Sequence, residues 1–203
     1  MYLLYNHQLL MVIIYIYLYL EYKMLDINIL DDEIPGLYII YDVITKETEN
    51  EIIKWLDTQK WSSSISRRTQ HYGYEYNYYS KNIRKTKNLK SWLKNIAYWL
   101  KNNKIMNPSQ CIVNEYTVNQ GIGPHIDRNI FGNTIVSLSL GDDTNYLMKK
   151  FRQNQISNNT TKEIKIPSRS LLILKNEARY NWTHSIPKRK FITQNGKKIK
   201  KKR

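Results

Sequence analysis

The stretch Val113–Asp127, VNEYTVNQGIGPHID, decides how this chain reads. Its last five residues, GPHID, place His125 and Asp127 two apart. In an extended segment, residues i and i+2 face the same side, so an imidazole and a carboxylate there reach one ion together. His184, in NWTHSIP, follows 59 residues after His125, beyond several strand-like runs, and is the distant third donor such an ion needs. Two histidines and one carboxylate on one face of an octahedron leave three positions open, a pattern that suits non-haem Fe(II). A bidentate 2-oxo acid would fill two of those positions and O2 the third. The chain has four histidines, His7, His71, His125 and His184, and an isolated His-x-Asp is commonly a surface hydrogen-bonded pair. The Gly/Pro border of this segment, and a second histidine after a strand, favour the metal.

Working outward, the chain after Pro108 is built of short β-type runs: CIVNEY (111–116), TIVSLSLG (134–141), YLMKKF (146–151), KEIKI (162–166) and SLLILK (170–175). Gly121, Gly123, Gly132, Gly141 and Pro167 punctuate them. Many short strands at this spacing predict a sandwich or barrel. The front part is mixed. LYIIYDVI (37–44) reads as a strand from its β-branched and aromatic content. Thr48 and Glu51 fit a capping box that opens a helix through Trp55 and Leu56. Residues 67–80, RRTQHYGYEYNYYS, are basic and aromatic without helical periodicity, and read as strand and loop. Leu89, Trp92, Leu93, Ile96, Ala97 and Leu100 form one face of an amphipathic helix.

The 203 residues suffice for one domain with a core, and 41% hydrophobic with 12% aromatic content is globular. Cys111 is the one cysteine, which excludes a disulfide scaffold and a cysteine zinc site and fits a reducing compartment. Net charge is +15, of which the final KKIKKKR (197–203) carries six, leaving +9 on the body. A basic body suits a polyanion, nucleic acid above all. Abundant Ile, Lys, Asn and Tyr give the competing account of an AT-rich genome. Residues 1–23 hold an apolar run from Leu9 to Leu20, too short to span a membrane and without a signal-peptide pattern. It reads as a leader upstream of a start at Met24, with a weak interfacial anchor as the alternative. A cytoplasmic or nuclear protein without stable membrane insertion is expected.

The stretches QHYGYEY (70–76), VNEYTVNQGIGPHID (113–127), IVSLSLG (135–141), SRSLLIL (168–174) and EARYNWTHSIP (177–187), in this order and spacing, resemble the AlkB family of Fe(II)/2-oxoglutarate dioxygenases. Within it they resemble the domain that hydroxylates a modified wobble uridine in tRNA. The resemblance spans most of residues 34 to 190. It implies an α+β fold: a double-stranded β-helix (jelly-roll) core with N-terminal supporting helices over residues 24–203. It implies Fe(II) on His125, Asp127 and His184, with 2-oxoglutarate and O2 as co-substrates. Asn114 and Tyr116 occupy the family's Asn-x-Tyr positions toward 2-oxoglutarate; without the resemblance they read as a polar strand face. Arg67, Arg68, His71, Tyr72 and Tyr74 resemble a nucleotide-facing lid, where basic and stacking groups suit an unpaired base. Their bland alternative is a solvated edge strand. Arg179, in Glu-x-Arg before the second histidine, is assigned with them to substrate, through a phosphate contact or a structural role.

The likeness also has departures. The family's closing strand carries Arg-x5-Arg, whose guanidinium forks grip the co-substrate carboxylates. Arg203 stands as the first of that pair, and the C-terminal strand that should follow is missing. A truncated sequence is the preferred account; crippled 2-oxoglutarate binding or substitution by Arg189 are the others. Asn129 replaces an acidic residue of base-repair members, which weakens an alkyl-adenine repair reading. The expected activity is therefore oxidative hydroxylation or demethylation of nucleic acid, RNA or tRNA ahead of DNA. The rivals are a catalytically impaired RNA-binding relative, an oxygenase acting on protein, and a structural β-domain with a fortuitous triad.

Overall fold

The chain is seen in a computed structural model that describes residues 28–76, 82–86, 88, 90–117, 119–152, 155–188, 191–194 and 197–200. The leader reading at 1–23, Leu89 of the helical stripe, and both Arg189 and Arg203 lie outside the described residues. In chain order the elements are β1 (Asn28–Ile29), β2 (Leu37–Ile40), α1 (Lys46–Asp57), β3 (Arg68–Tyr72), β4 (Tyr74–Tyr76), β5 (Ile83–Lys85), α2 (Ser91–Asn102) and β6 (Cys111–Glu115). They continue with β7 (Ile122–His125), a 3-10 turn (Asn129–Phe131), β8 (Ile135–Leu138), β9 (Thr144–Arg152), β10 (Gln155–Ile166), β11 (Leu171–Leu174), α3 (Asn176–Tyr180), β12 (Trp182–Ile186), β13 (Phe191–Gln194) and β14 (Lys197–Lys200). Among the described residues no helix is long and apolar enough to cross a membrane.

The chain divides into two units: one contains Asn50–Glu115, the other Leu25–Glu49 with Tyr116–Arg203. The second unit holds two four-stranded antiparallel sheets, in the orders β1-β2-β11-β8 and β10-β9-β12-β7. From β7 to β12 the chain passes back and forth between them. One apolar cluster joins the sheets: Leu37, Ile39, Leu172 and Leu174 come from the first, Met148, Ile164, Ile166 and Trp182 from the second. The sequence explains this directly. Leu171–Leu174 is apolar on both faces and all four residues are buried, as a central strand requires. In β10, Ile164 and Ile166 alternate with the exposed Glu163 and Lys165, the period of a strand with one wet face.

The first unit pairs β3 with β6 and β4 with β5, each antiparallel. Trp55 packs edge-on against Trp92 and beside Tyr72. In α2 the buried positions are Leu93, Trp99 and Leu100, so Trp99 widens the expected stripe.

Two local expectations change. Helix α1 opens one turn before the predicted capping box: the backbone N–H of Thr48 donates to the Thr45 hydroxyl at 3.2 Å, so Thr45, rather than Thr48, is the N-cap. Two threonines three apart give the same local signal, and the earlier one satisfies the helix's orphan donors. The lysine-rich run read as a tail contains a strand. Lys197–Lys200 pairs with Phe191–Gln194, with Gln194 opposite Lys197.

Candidate metal centre

Strands β7 and β12 are antiparallel neighbours, and their register sets His125 opposite His184. The ladder shifts register between His184 and Ile186. Pro124, which has no N–H to give, falls in this irregular stretch of an edge strand, where a proline is tolerated. Bulges of this kind re-aim side chains next to functional sites. The two imidazole centroids are 4.3 Å apart.

Asp127 completes the group. His125 Nε2 lies 3.7 Å from one of its carboxylate oxygens, and His184 Nε2 lies 3.5 Å from the other. One donor atom from each of the three residues lies within 4.8 Å of the other two. The sequence expected alternation along a strand to align His125 with Asp127. In the structure β7 ends at His125, so Asp127 reaches the group from the following loop.

The donors are also in the right chemical form. His125 Nδ1 is 2.9 Å from the Gly123 carbonyl. A carbonyl only accepts, so this contact places a proton on Nδ1 and leaves Nε2 as the ring nitrogen that faces Asp127. Burial pushes the His184 imidazole down to about 4; Asp127 opposes this, while His125 and Arg179 add to it. His184 is therefore neutral at physiological pH, as a ligand must be. A metal bonded at about 2.1 Å spaces adjacent donors ~3 Å apart, so a small inward movement of these side chains closes them on one ion. Two imidazoles and a carboxylate fit Fe(II) with open positions.

Tyr146 on β9 was missed in the sequence. Its ring stacks on His184, 6.0 Å between centroids and 10° between planes. His184 is paired with Met148, so Tyr146 is its diagonal cross-strand neighbour. Burial, with Tyr116 and Asp127 nearby, pushes its phenol up to about 12 against a hydrogen bond with Ser137. Tyr116 thus lies on the same side of the site.

The other expected site residues have separate placements. Asn114 lies in β6 of the first unit and accepts a hydrogen bond from Arg67 Nε at 2.8 Å. Tyr116 falls just past the end of that strand. Arg68 forms a bidentate pair with Glu115, at 2.5 and 2.8 Å, and lies over the Trp61 ring. Tyr72 is fully buried and donates to Gln70, which in turn donates to the Leu56 carbonyl. Arg179 is 2% exposed, and its guanidinium donates to the carbonyls of Asp127, Arg128 and Gly132. The polar groups of Tyr72 and Arg179 are thus engaged inside the protein, the structural alternative for Arg179, while the half-exposed Arg68 is paired with Glu115. Tyr74, 41% exposed, and the partly buried His71 keep surface for a ligand.

A sequence model of the 2OG-Fe(II) oxygenase superfamily matches residues 57–203. The uncharacterized protein L905 of Acanthamoeba polyphaga mimivirus is 36% identical over 169 residues, covering 81% of this chain and 79% of that protein. The tRNA (carboxymethyluridine(34)-5-O)-methyltransferase alkbh8 of Xenopus tropicalis is 34% identical over 168 residues, 77% of this chain. The match takes in only 26% of that longer relative. Among solved structures, that of OsALKBH1 superposes with a TM-score of 0.64 over 81% of this chain and 88% of the other, at 16% identity, a likeness of fold.

Proposed function

This chain belongs to the 2OG-Fe(II) oxygenase superfamily, as an AlkB-like 2-oxoglutarate-dependent dioxygenase, and from that premise we propose that it oxidises a modified base in RNA, tRNA first, with iron held by His125, Asp127 and His184. The observation that carries the reading is the convergence of those three donors within 4.8 Å. We read the two sheets, with the chain alternating between them, as the jelly-roll core of such enzymes. The tRNA substrate is suggested by the named activity of the Xenopus relative and by the net charge of +15.

When bound, Fe(II) activates O2 as 2-oxoglutarate is oxidised to succinate and CO2, and one oxygen atom enters a substrate C–H bond. The protein's share is placement. His125 and His184 would supply imidazole nitrogens, and Asp127 the charge that retains a divalent cation. Tyr146 walls one side of His184 and keeps water from it. Asn114, Tyr116 and Arg203 are the proposed partners of 2-oxoglutarate. Tyr74 and His71 are the proposed contacts to the base, with Arg67 beside them. A hydroxylated N-methyl group would leave as formaldehyde; a hydroxylated uridine side chain would keep its oxygen. A cytoplasmic or nuclear location follows from an RNA substrate.

The test is succinate formation from 2-oxoglutarate with Fe(II) and air, with and without bulk tRNA, beside His184→Ala. Turnover that requires His184 and rises with tRNA supports the reading. His184-dependent turnover unaffected by tRNA but raised by peptide would overturn the RNA assignment. Formaldehyde release separates demethylation from retained hydroxylation.

A further inference from the structure

We infer that Arg179 is the positioning residue for the metal carboxylate: it ties the loop that carries Asp127 to the strand that carries His184. The inference rests on the metal reading above. It starts from an inequality among the three ligands. The histidines face each other across a hydrogen-bonded ladder, so the sheet fixes both. Asp127 lies two residues beyond the end of β7, where no ladder holds it.

The Arg179 guanidinium supplies the missing constraint. Nη1 donates to the carbonyl of Asp127 itself at 2.7 Å, Nη2 to that of Arg128 at 2.8 Å, and Nε to that of Gly132 at 3.2 Å. Three carbonyls of one short loop thus converge on one planar cation. The loop is shaped for this by the 3-10 turn Asn129–Phe131 and by Gly132, whose φ of 87° and ψ of −176° only glycine adopts readily. The other end of the strut is covalent: Arg179 lies in α3, five residues before His184. The Arg179 guanidinium carbon also lies over the Tyr180 ring, 5.0 Å from its centroid.

Two plainer roles do not account for this geometry. A phosphate contact needs an accessible guanidinium, and this one is 2% exposed. A helix C-cap would use carbonyls of α3, whereas these acceptors lie 47 to 52 residues earlier in the chain. Arginine suits this role better than lysine, because its rigid planar fork spreads its donors over three nitrogens, one for each carbonyl. Lysine would offer a single ammonium head on a flexible stem. Outer partners that orient ligands in this way typically set affinity as well as geometry.

The experiment uses Co(II), whose visible ligand-field spectrum and binding constant report the site independently of turnover. Wild-type chain, His184→Ala, Arg179→Met, Arg179→Lys and Gly132→Ala are titrated, with circular dichroism and thermal melting to verify folding. Folded Arg179→Met is expected to bind Co(II) about 10–100-fold more weakly, with an altered band shape, and Arg179→Lys to recover part of the loss. Gly132→Ala has open space for its methyl but a strained backbone, and is expected to weaken binding less than Arg179→Met does. A folded Arg179→Met with an unchanged spectrum and a Kd within about twofold of wild type would overturn the inference. Should neither Arg179 variant fold, an unchanged Kd and spectrum in Gly132→Ala would overturn it instead. A wild-type chain without any His184-dependent Co(II) band would sink the metal reading itself, and the role of Arg179 with it.

Discussion

The β7–β12 region and the β3–β6 region are both two-strand meetings of polar side chains, yet they use those side chains in opposite ways. In the first, one donor atom from each of His125, His184 and Asp127 comes within 4.8 Å of the other two, a donor set chemically matched to a cation. In the second, polar groups are partnered internally: Arg68 pairs with Glu115 and Arg67 donates to the Asn114 amide oxygen, and on the neighbouring β4–β5 pair Arg84 takes Glu75. Basic composition is therefore weak evidence of a docking face, because a cation's partner can sit 47 residues away. An unbalanced donor cluster is strong evidence of a site.

The largest expected effect tests that contrast most directly. His184→Ala should cost more than roughly 100-fold in Co(II) affinity and remove succinate formation, beyond the loss typical of outer partners. Tyr74→Ala should leave metal binding intact and act on tRNA stimulation alone. Equal losses of Co(II) affinity in both variants would erase the distinction between the two regions.

Next in size is a backbone effect in the β3–β6 unit. Gly73 has φ +81°, and a Cβ there would meet the Ser109 carbonyl oxygen at 2.1 Å. Gly73→Ala should therefore destabilise the chain by about 2–3 kcal/mol in denaturant unfolding, from left-handed strain plus a clash with rigid backbone. Wild-type stability in that variant would mean the β3–β4 turn is not as described.

Arg68→Met asks whether the pair with Glu115 is structural. The Arg68 side chain is 43% exposed, so solvent screening limits its worth, while Glu115 is nearly buried. A loss of about 1 kcal/mol in stability is expected. The salt dependence of tRNA binding should change little, since a guanidinium already paired to a carboxylate contributes little to counterion release. A full-unit drop in the salt slope with no stability change would restore Arg68 to the substrate face.

What the sequence disclosed follows the same division. The triad was legible because two imidazoles and a carboxylate are a chemically narrow set and the intervening runs read as strands. Leu171–Leu174 and the Ile164/Ile166 alternation were legible because burial writes itself into side-chain type. Tyr146 was hidden, because a diagonal stack on His184 depends on the β9–β12 register, which no local pattern states. The anchoring of Asp127 was hidden for a similar reason: the rule of two along a strand names the right residue, but its support comes from Arg179, distant in the chain. The partners of Arg68 and Tyr72 were hidden as well, because composition records charge and aromaticity without recording what each side chain meets.

The smallest expected signal concerns His71, a residue read from sequence as part of a basic lid. Its Nδ1 is buried without a hydrogen-bond partner. Burial lowers its pKa from the ordinary 6.5; Glu75 opposes the shift and Arg84 adds to it. A folded value below the unfolded one means that, as pH falls, the unfolded chain takes up the proton first. The stabilising contribution is thus complete above the ordinary histidine value and is lost as pH falls through the folded value. Against His71→Gln, wild type should lose relative stability on acidification from neutral pH, and an NMR titration of the ring should place its midpoint below the ordinary 6.5. An uncharged imidazole can stack on a base or accept a proton but cannot pair with a phosphate. A raised pKa and the opposite pH slope would instead make His71 a cation at the surface, and the β3–β6 region would regain the electrostatic role its composition suggested.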